Sequence, residues 1–598
     1  MTDATNDSAV THHAGWFAYL RLILALLCTA LLPLGWGRLE VVTMQTGRPE
    51  GIVLAVFAVV FLVVVLASWN LGHKLSRVQP WRWQRQDTVM LLFLLLVWFG
   101  AYALVFGYYV DSLIHPAIVY ALFVPSTIWV LAASWSCYWP LPWKLRGAGL
   151  MMLLILAVDF PLLMRVEGLT GAGKVNFAWR HTTTSTPMPA EAIVPKQPIP
   201  WLPLTEMDFA QYLGAARTAV LTKAHAGADW TQQPPKRMWR RPICAGWSSC
   251  AIVNGYVITQ EQIDNVEAVT CYRLKDGEVV WRHVDPERFD SSLGGPGPRA
   301  TPTVAEGRVY TLGATGLLNC LDFGTGQAVW SVNILKDNEG QNIDHGICGS
   351  PLVIGEMVYV CPTREGGPTL VAYDRKTGKR QWQAGKDRAS YSSPMWVELC
   401  GQAQILVHHS EGVSAYDPQA QGAELWRFPW TNGFKVNCSQ PLVIDQQKEH
   451  ADLLIATGYD KGSALIRLQP QPGKEWKVTS VWEKRYLRTK FTTAVLYQGY
   501  VYGLDDGILC CVNPKNGERM WKAGRYNHGQ VLLAGDRLIV QTEEGPLVLV
   551  EPNPKQLIER GKVEALTSKT WNNPALAGDY LVIRNDLEMI CFLLPRQP

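Results

Sequence analysis

Cys510 and Cys511 stand side by side in GILCCVNPKNGERMW, residues 507–521. Adjacent thiols that close into a ring would supply redox chemistry or cover a cofactor. A disulfide needs Cβ atoms only about 3.8 Å apart, whereas neighbours in an extended strand point to opposite faces. The pair is therefore expected to be buried filler, since cysteine packs like a small hydrophobe. A second constellation is a column of residues, one ahead of each of eight similar strand starts: Trp247, Arg299, Cys348, Tyr391, Cys438, Phe491, His528 and Trp571, with Lys490 beside Phe491. Rings and cations in such a column suit a ligand in a concave site, but they serve equally well as a plug between strands. His528 alone is more often a hydrogen-bonded structural histidine than a base. Third, LKDNEGQNIDHG offers the carboxylates Asp337, Glu339 and Asp344. Calcium takes about six to eight oxygens. The loop lacks EF-hand spacing, so a solvated loop is the simpler reading. No CxxCH for haem and no CxxC pair for zinc occurs in the chain.

The elements that would position these residues repeat. SSCAIVNGYVIT, ATPTVAEGRVYT, GSPLVIGEMVYV, SSPMWVELCGQAQILV, SQPLVI, TTAVLYQGYVYG, GQVLLAGDRLIV and NNPALAGDYLVI begin eight units between residue 248 and the C-terminus. A period of roughly 40–50 residues is that of four-stranded propeller blades. The second half of the unit repeats as well. CYRLKDGEVVW, CLDFGTGQAVW, AYDRKTGKRQW and CVNPKNGERMW run from a small residue through a glycine turn to Trp281, Trp330, Trp382 and Trp521, and AYDPQAQGAELW reaches Trp426 with one inserted residue. The small column holds Cys271, Cys320, Ala372, Ala415 and Cys511, with Cys591 in the last unit. Asp322, Asp374 and Asn513 start the turns, and each tryptophan is placed to cover the seam between blades. The last unit stops at MICFLLPRQP, short of its tryptophan strand. PKRMWRRPI, with Trp239, can supply that strand from the start of the domain and leave no free sheet edge. The expected domain is an all-β eight-bladed propeller over 236–598, closed by strand 236–243.

The chain has 598 residues, too many for one ordinary core, with net charge +4 and 18% charged residues. Mean hydropathy is +0.02. The mild charge gives no sign of a nucleic-acid partner. The apolar density lies in a membrane domain, residues 1–165, with five expected transmembrane helices at 16–36, 51–69, 88–110, 113–135 and 147–164, each about the 20 residues a bilayer requires. Lys74, Arg77, Arg82, Arg85, Lys144 and Arg146 lie in two of the loops. The positive-inside rule makes those loops and the N-terminus cytoplasmic and everything after the fifth span extracytoplasmic. Residues 166–235 are rich in Pro and Thr and read as an extended extracytoplasmic linker, with a short helix expected near 206–225.

The repeat frame resembles that of the pyrroloquinoline-quinone (PQQ) family of β-propellers. That family includes quinoprotein alcohol and glucose dehydrogenases, and also propellers without a known cofactor, such as the lipoprotein subunit of the outer-membrane β-barrel assembly machinery. Five spans followed by a propeller resemble the layout of membrane-bound quinoprotein glucose dehydrogenase. An enzyme of the family would hold PQQ with calcium, an Asp base and an Arg or Lys on the quinone oxygens. Arg299 and Lys490 match only the last of these roles, and no carboxylate occupies the funnel column. The favoured expectation is a membrane-anchored, non-catalytic binding or scaffold module for a cell-envelope protein or polymer, without a cofactor. The alternative is a PQQ- and calcium-dependent dehydrogenase of alcohols or sugars that passes electrons to membrane quinone. Either would sit in the inner membrane of a bacterial envelope with its propeller in the periplasm.

Overall fold

The computed structural model describes residues 164–171, 175–179 and 189–596, apart from residues 292 and 474. The spans expected between residues 16 and 164 lie outside these, but for Met164 at the end of the fifth. Among the described residues no helix is long and apolar enough to cross a membrane. The chain forms two compact units, Met1–Val166 with Phe177–Thr182, and Glu167–Asn176 with Thr183–Pro598.

The second unit is an eight-bladed β-propeller. Seven antiparallel sheets have four strands each, and an eighth gains a fifth strand. In chain order the blades occupy residues 251–285, 303–333, 352–384, 395–428, 442–484, 495–525, 530–563 and 575–593. The last is completed by Lys236–Pro242, which pairs antiparallel with Glu588–Leu593 and sets Trp239 opposite Cys591. The inner strands are short and buried on both faces, as in Ala251–Val253, because each blade is sandwiched between two others. The outermost strands, such as Arg380–Ala384, alternate with solvent.

The repeat frame has a structural meaning. Cys271, Cys320, Ala372, Ala415 and Cys511 each lie directly across from Trp281, Trp330, Trp382, Trp426 and Trp521, and a bulge follows the small residue every time. A small side chain at that point leaves room for the indole. Several of the frame indoles donate from Nε1 to a carbonyl of the next blade, Trp239 to Leu274 at 2.7 Å, Trp281 to Phe323 at 3.0 Å and Trp330 to Arg375 at 3.0 Å, whereas Trp426 donates to Gln404 of its own blade at 2.8 Å. Cys510 and Cys511 face opposite sides of their blade, in separate core clusters, and both thiols are free. Burial pushes both thiols up, Cys511 to about 11, so neither forms a nucleophilic thiolate near neutral pH.

The helix expected near 206–225 is absent. That stretch runs as turns and a two-residue strand, Val220–Leu221, parallel to the inner strand Gln530–Ala534. The linker closes local turns, such as Gly214 N–H to Gln211 and Arg217 N–H to Gly214, and also binds the inner strands. The Phe209 N–H donates to Ile252, and Ala210 accepts from the Val304 N–H. Leu213, Arg217 and Ala219 adopt left-handed φ of 58°, 57° and 56°, a strained choice for residues with a Cβ. The strain is offset by burial and by the bonds of Arg217.

Candidate functional site

Each inner strand is preceded by the residue that the sequence column singled out, and these residues gather at one mouth of the funnel. On one side they form an arc of rings. Trp247 and Trp571 have centroids 4.9 Å apart, Trp571 and Phe491 5.0 Å, Phe491 and His528 6.0 Å. The Lys569 ammonium lies over both indoles, 4.9 Å from Trp247 and 4.2 Å from Trp571. Lys490 lies beside the arc, over the Tyr459 ring at 5.2 Å and 3.6 Å from Asp506. Its ammonium donates to the Gly171 carbonyl at 3.0 Å. Burial lowers its pKa, and burial together with Lys490 pushes His528 down to about 4.

The other side is committed to structure. Arg299 stacks on Phe289 at 4.7 Å and donates to the carbonyls of Gly295, at 2.6 Å, and Gly297. Tyr391 meets His345 at 5.4 Å. Cys348 donates to the Gly346 carbonyl at 3.4 Å, and burial pushes its thiol to about 12. Cys438 is raised by burial and by Cys348.

The expected carboxylates do not converge. Asp337 lies in a one-turn helix, Ile334–Asp337, and accepts from the Tyr373 hydroxyl at 2.8 Å. Glu339 pairs with Arg364 at 3.1 Å, and Asp344 is exposed. Among the described residues no group of three or more His, Cys, Asp or Glu is placed to hold a metal ion. Ser414, His409 and Asp387 line up elsewhere, with Ser414 3.0 Å from His409 Nε2 and Asp387 3.8 Å from Nδ1. This is not a nucleophile: Nδ1 accepts from the Glu411 N–H, so the imidazole proton lies on Nε2 toward the serine, and Ser414 is fully buried.

Three features escaped the sequence. Glu543, 3% exposed, collects donors from Trp571 Nε1 at 2.8 Å, the His528 N–H at 3.1 Å and the Gly171 N–H. Nothing in TEEGP marks it out. Next is a belt around the channel. The N–H of Ser249 donates to the side chain of Thr301, Thr301 to Ser350, Ser350 to Ser393, Ser393 to Gln440 and Gln440 to Thr493, over 2.9–3.3 Å. Its signal was legible as a hydroxyl or amide at the second position of these units. Last is Arg217, 1% exposed, which reaches the inner ends of three blades. It donates to the carbonyls of Ser350 at 3.0 Å, Pro394 at 2.9 Å and Pro351, and to Gln211 at 2.9 Å. Burial lowers it to about 9, and Tyr212 packs beside it, hydrogen-bonded to Thr493 of the belt.

The PQQ-repeat family model described as outer membrane protein assembly factor BamB matches residues 265–523. Those residues carry the tryptophan frame found in the blades. The blades within residues 265–523 match PQQ-like repeats. Among curated proteins, BamB of Yersinia pestis is 23% identical over 338 residues, 52% of this chain and 80% of that protein. Quinohemoprotein alcohol dehydrogenase ADH-IIG of Pseudomonas putida is 25% identical over 249 residues, 38% of this chain and 33% of the enzyme. Among solved structures, a europium-containing methanol dehydrogenase has TM-score 0.48 and 13% identity, covering 63% of this chain and 90% of that one. BamB of Moraxella catarrhalis has TM-score 0.44 and 16% identity, covering 60% and 99%. PQQ-like repeats thus relate this chain both to assembly factors and to quinoprotein dehydrogenases.

Proposed function

We propose that the propeller is a non-catalytic binding or scaffold module, held by the N-terminal spans in the bacterial inner membrane and presented on the periplasmic side to an envelope protein or polymer. One observation carries this reading: the charged groups of the mouth are spent within the chain. Arg299 is bonded to Gly295 and Gly297, Lys490 to Gly171, and Glu543 to three donors. An anionic quinone with calcium needs uncommitted cations and an oxygen cage. These residues do not fit that pair. The relatives named assembly factors support a protein as the partner.

The test is calorimetric titration of PQQ with calcium into the detergent-solubilised chain, alongside affinity capture from solubilised membranes. No binding heat together with recovery of one specific envelope partner is the expected result. Micromolar or tighter PQQ binding, abolished by Arg299→Ala, would overturn the reading in favour of a PQQ-dependent dehydrogenase of alcohols or sugars.

A further inference from the structure

One contact at the mouth has the chemistry of recognition. Gly171 lies in Glu167–Asn176, a stretch of the propeller unit, and is buried. Its N–H donates to Glu543 and its carbonyl accepts from Lys490. A Cβ built on this glycine would fall inside the van der Waals envelope of the His528 ring. Both polar groups of one residue are therefore gripped, and its α-carbon is pressed against an imidazole that admits no side chain.

The grip is built in advance. Glu543 is oriented by Trp571 and by the His528 N–H. Lys490 is held between Asp506 and the face of Tyr459. His528 Nε2 lies 3.7 Å from the same Asp506. A buried carboxylate and a half-buried ammonium, so fixed, offer one acceptor and one donor to a single peptide residue. Charge-assisted bonds of this kind are the strong ones.

We infer that this mouth is a glycine-selective peptide-backbone site and that its resident ligand is the chain's own Gly171. The ligand class is a glycyl residue within a peptide, recognised through its N–H and C=O and through the absence of a side chain. While Gly171 is seated, any other ligand of the aromatic arc has to displace it. The inference stands on the Gly171 contacts and holds whichever partner the propeller takes.

The test is hydrogen–deuterium exchange at the residue-171 amide of the full chain in detergent, read by fragmentation mass spectrometry. The wild-type amide is expected to exchange at least about tenfold slower than an unstructured peptide. Gly171→Ala and Lys490→Met should each restore about tenfold or more of that rate, with exchange in Gln530–Ala534 unchanged. Exchange at the free-peptide rate in the wild type would overturn the inference, as would slow exchange that survives Gly171→Ala. If the Gly171→Ala chain does not fold, the Lys490→Met chain makes the same comparison, and unchanged slow exchange there overturns it equally.

Discussion

The indole of Trp281 lies against Gly326 of the next blade, so closely that a Cβ at Gly326 would enter the ring, and Trp281 Nε1 donates to Phe323 in the same turn. Gly326 also has φ +72°. Gly326→Ala should therefore cost about 2–4 kcal/mol, the left-handed penalty plus overpacking. Gly355 has φ +57° with nothing within 4 Å of a built Cβ. Gly355→Ala should cost only the left-handed part, about 1 kcal/mol. Urea midpoints of the two variants separate the seam from the backbone, and equal losses would dismiss the seam.

Ser350→Ala removes the acceptor of the Thr301 N–H, 2.9 Å away within the buried belt. An orphaned buried N–H costs about 1–3 kcal/mol. Ser350→Thr keeps an oxygen there and should lose less. Thermal melting of both variants checks this.

Arg217→Lys tests the bonds that tie the linker to the inner strands. A lysine keeps the charge but cannot reproduce a planar fork that serves several acceptors. Both Arg217→Lys and Arg217→Ala should lower stability, by about 2–4 kcal/mol for the alanine. If lysine melts like wild type, charge rather than geometry holds the linker.

Glu267 gives a pH signature. Burial pushes its carboxyl to about 7 from 4.5, opposed by the Ala314 N–H and Arg299 and reinforced by Asp285 and Glu287. Between those values the folded chain binds more protons than the unfolded chain. Its contribution is thus full below about 4.5 and lost as pH rises through about 7. The amount is on the order of 3 kcal/mol. Glu267→Gln should lose that slope, so its stability relative to wild type should rise from about pH 5 to about pH 8. A constant difference across that range would refute the assignment.

Cys510 and Cys511 should resist alkylation in the folded chain and react on unfolding, because both are fully buried with raised thiol pKa. Rapid labelling of either in native conditions would contradict their placement.

The blade frame was legible because one physical need recurs: a small residue opposite an indole, then a glycine turn. The repetition made Cys511 readable as one of a column with Cys271 and Cys320 rather than as half of a reactive pair. The positions of the mouth residues were legible from the same register. Their commitments were not, since Arg299 and Lys490 are satisfied by backbone carbonyls that no side-chain pattern announces. Arg217 was hidden for a related reason. Its stretch folds as short turns whose remaining backbone groups bond to distant blades, so tertiary contacts outweighed local helical propensity.

The strand that seals the last blade, Lys236–Pro242, is made before all seven other blades' four-strand repeats, and its partner Glu588–Leu593 follows them. The ring is therefore a clasp that cannot fasten until Glu588–Leu593 has been made. Through that interval Lys236–Pro242 presents a bare edge, the kind that recruits wrong neighbours. Joining ends so far apart in sequence is also slow. A chain cut short before Glu588 would be released not as seven sound blades but as an open fan with no last contact to lock it, which makes this one strand a checkpoint on the ring.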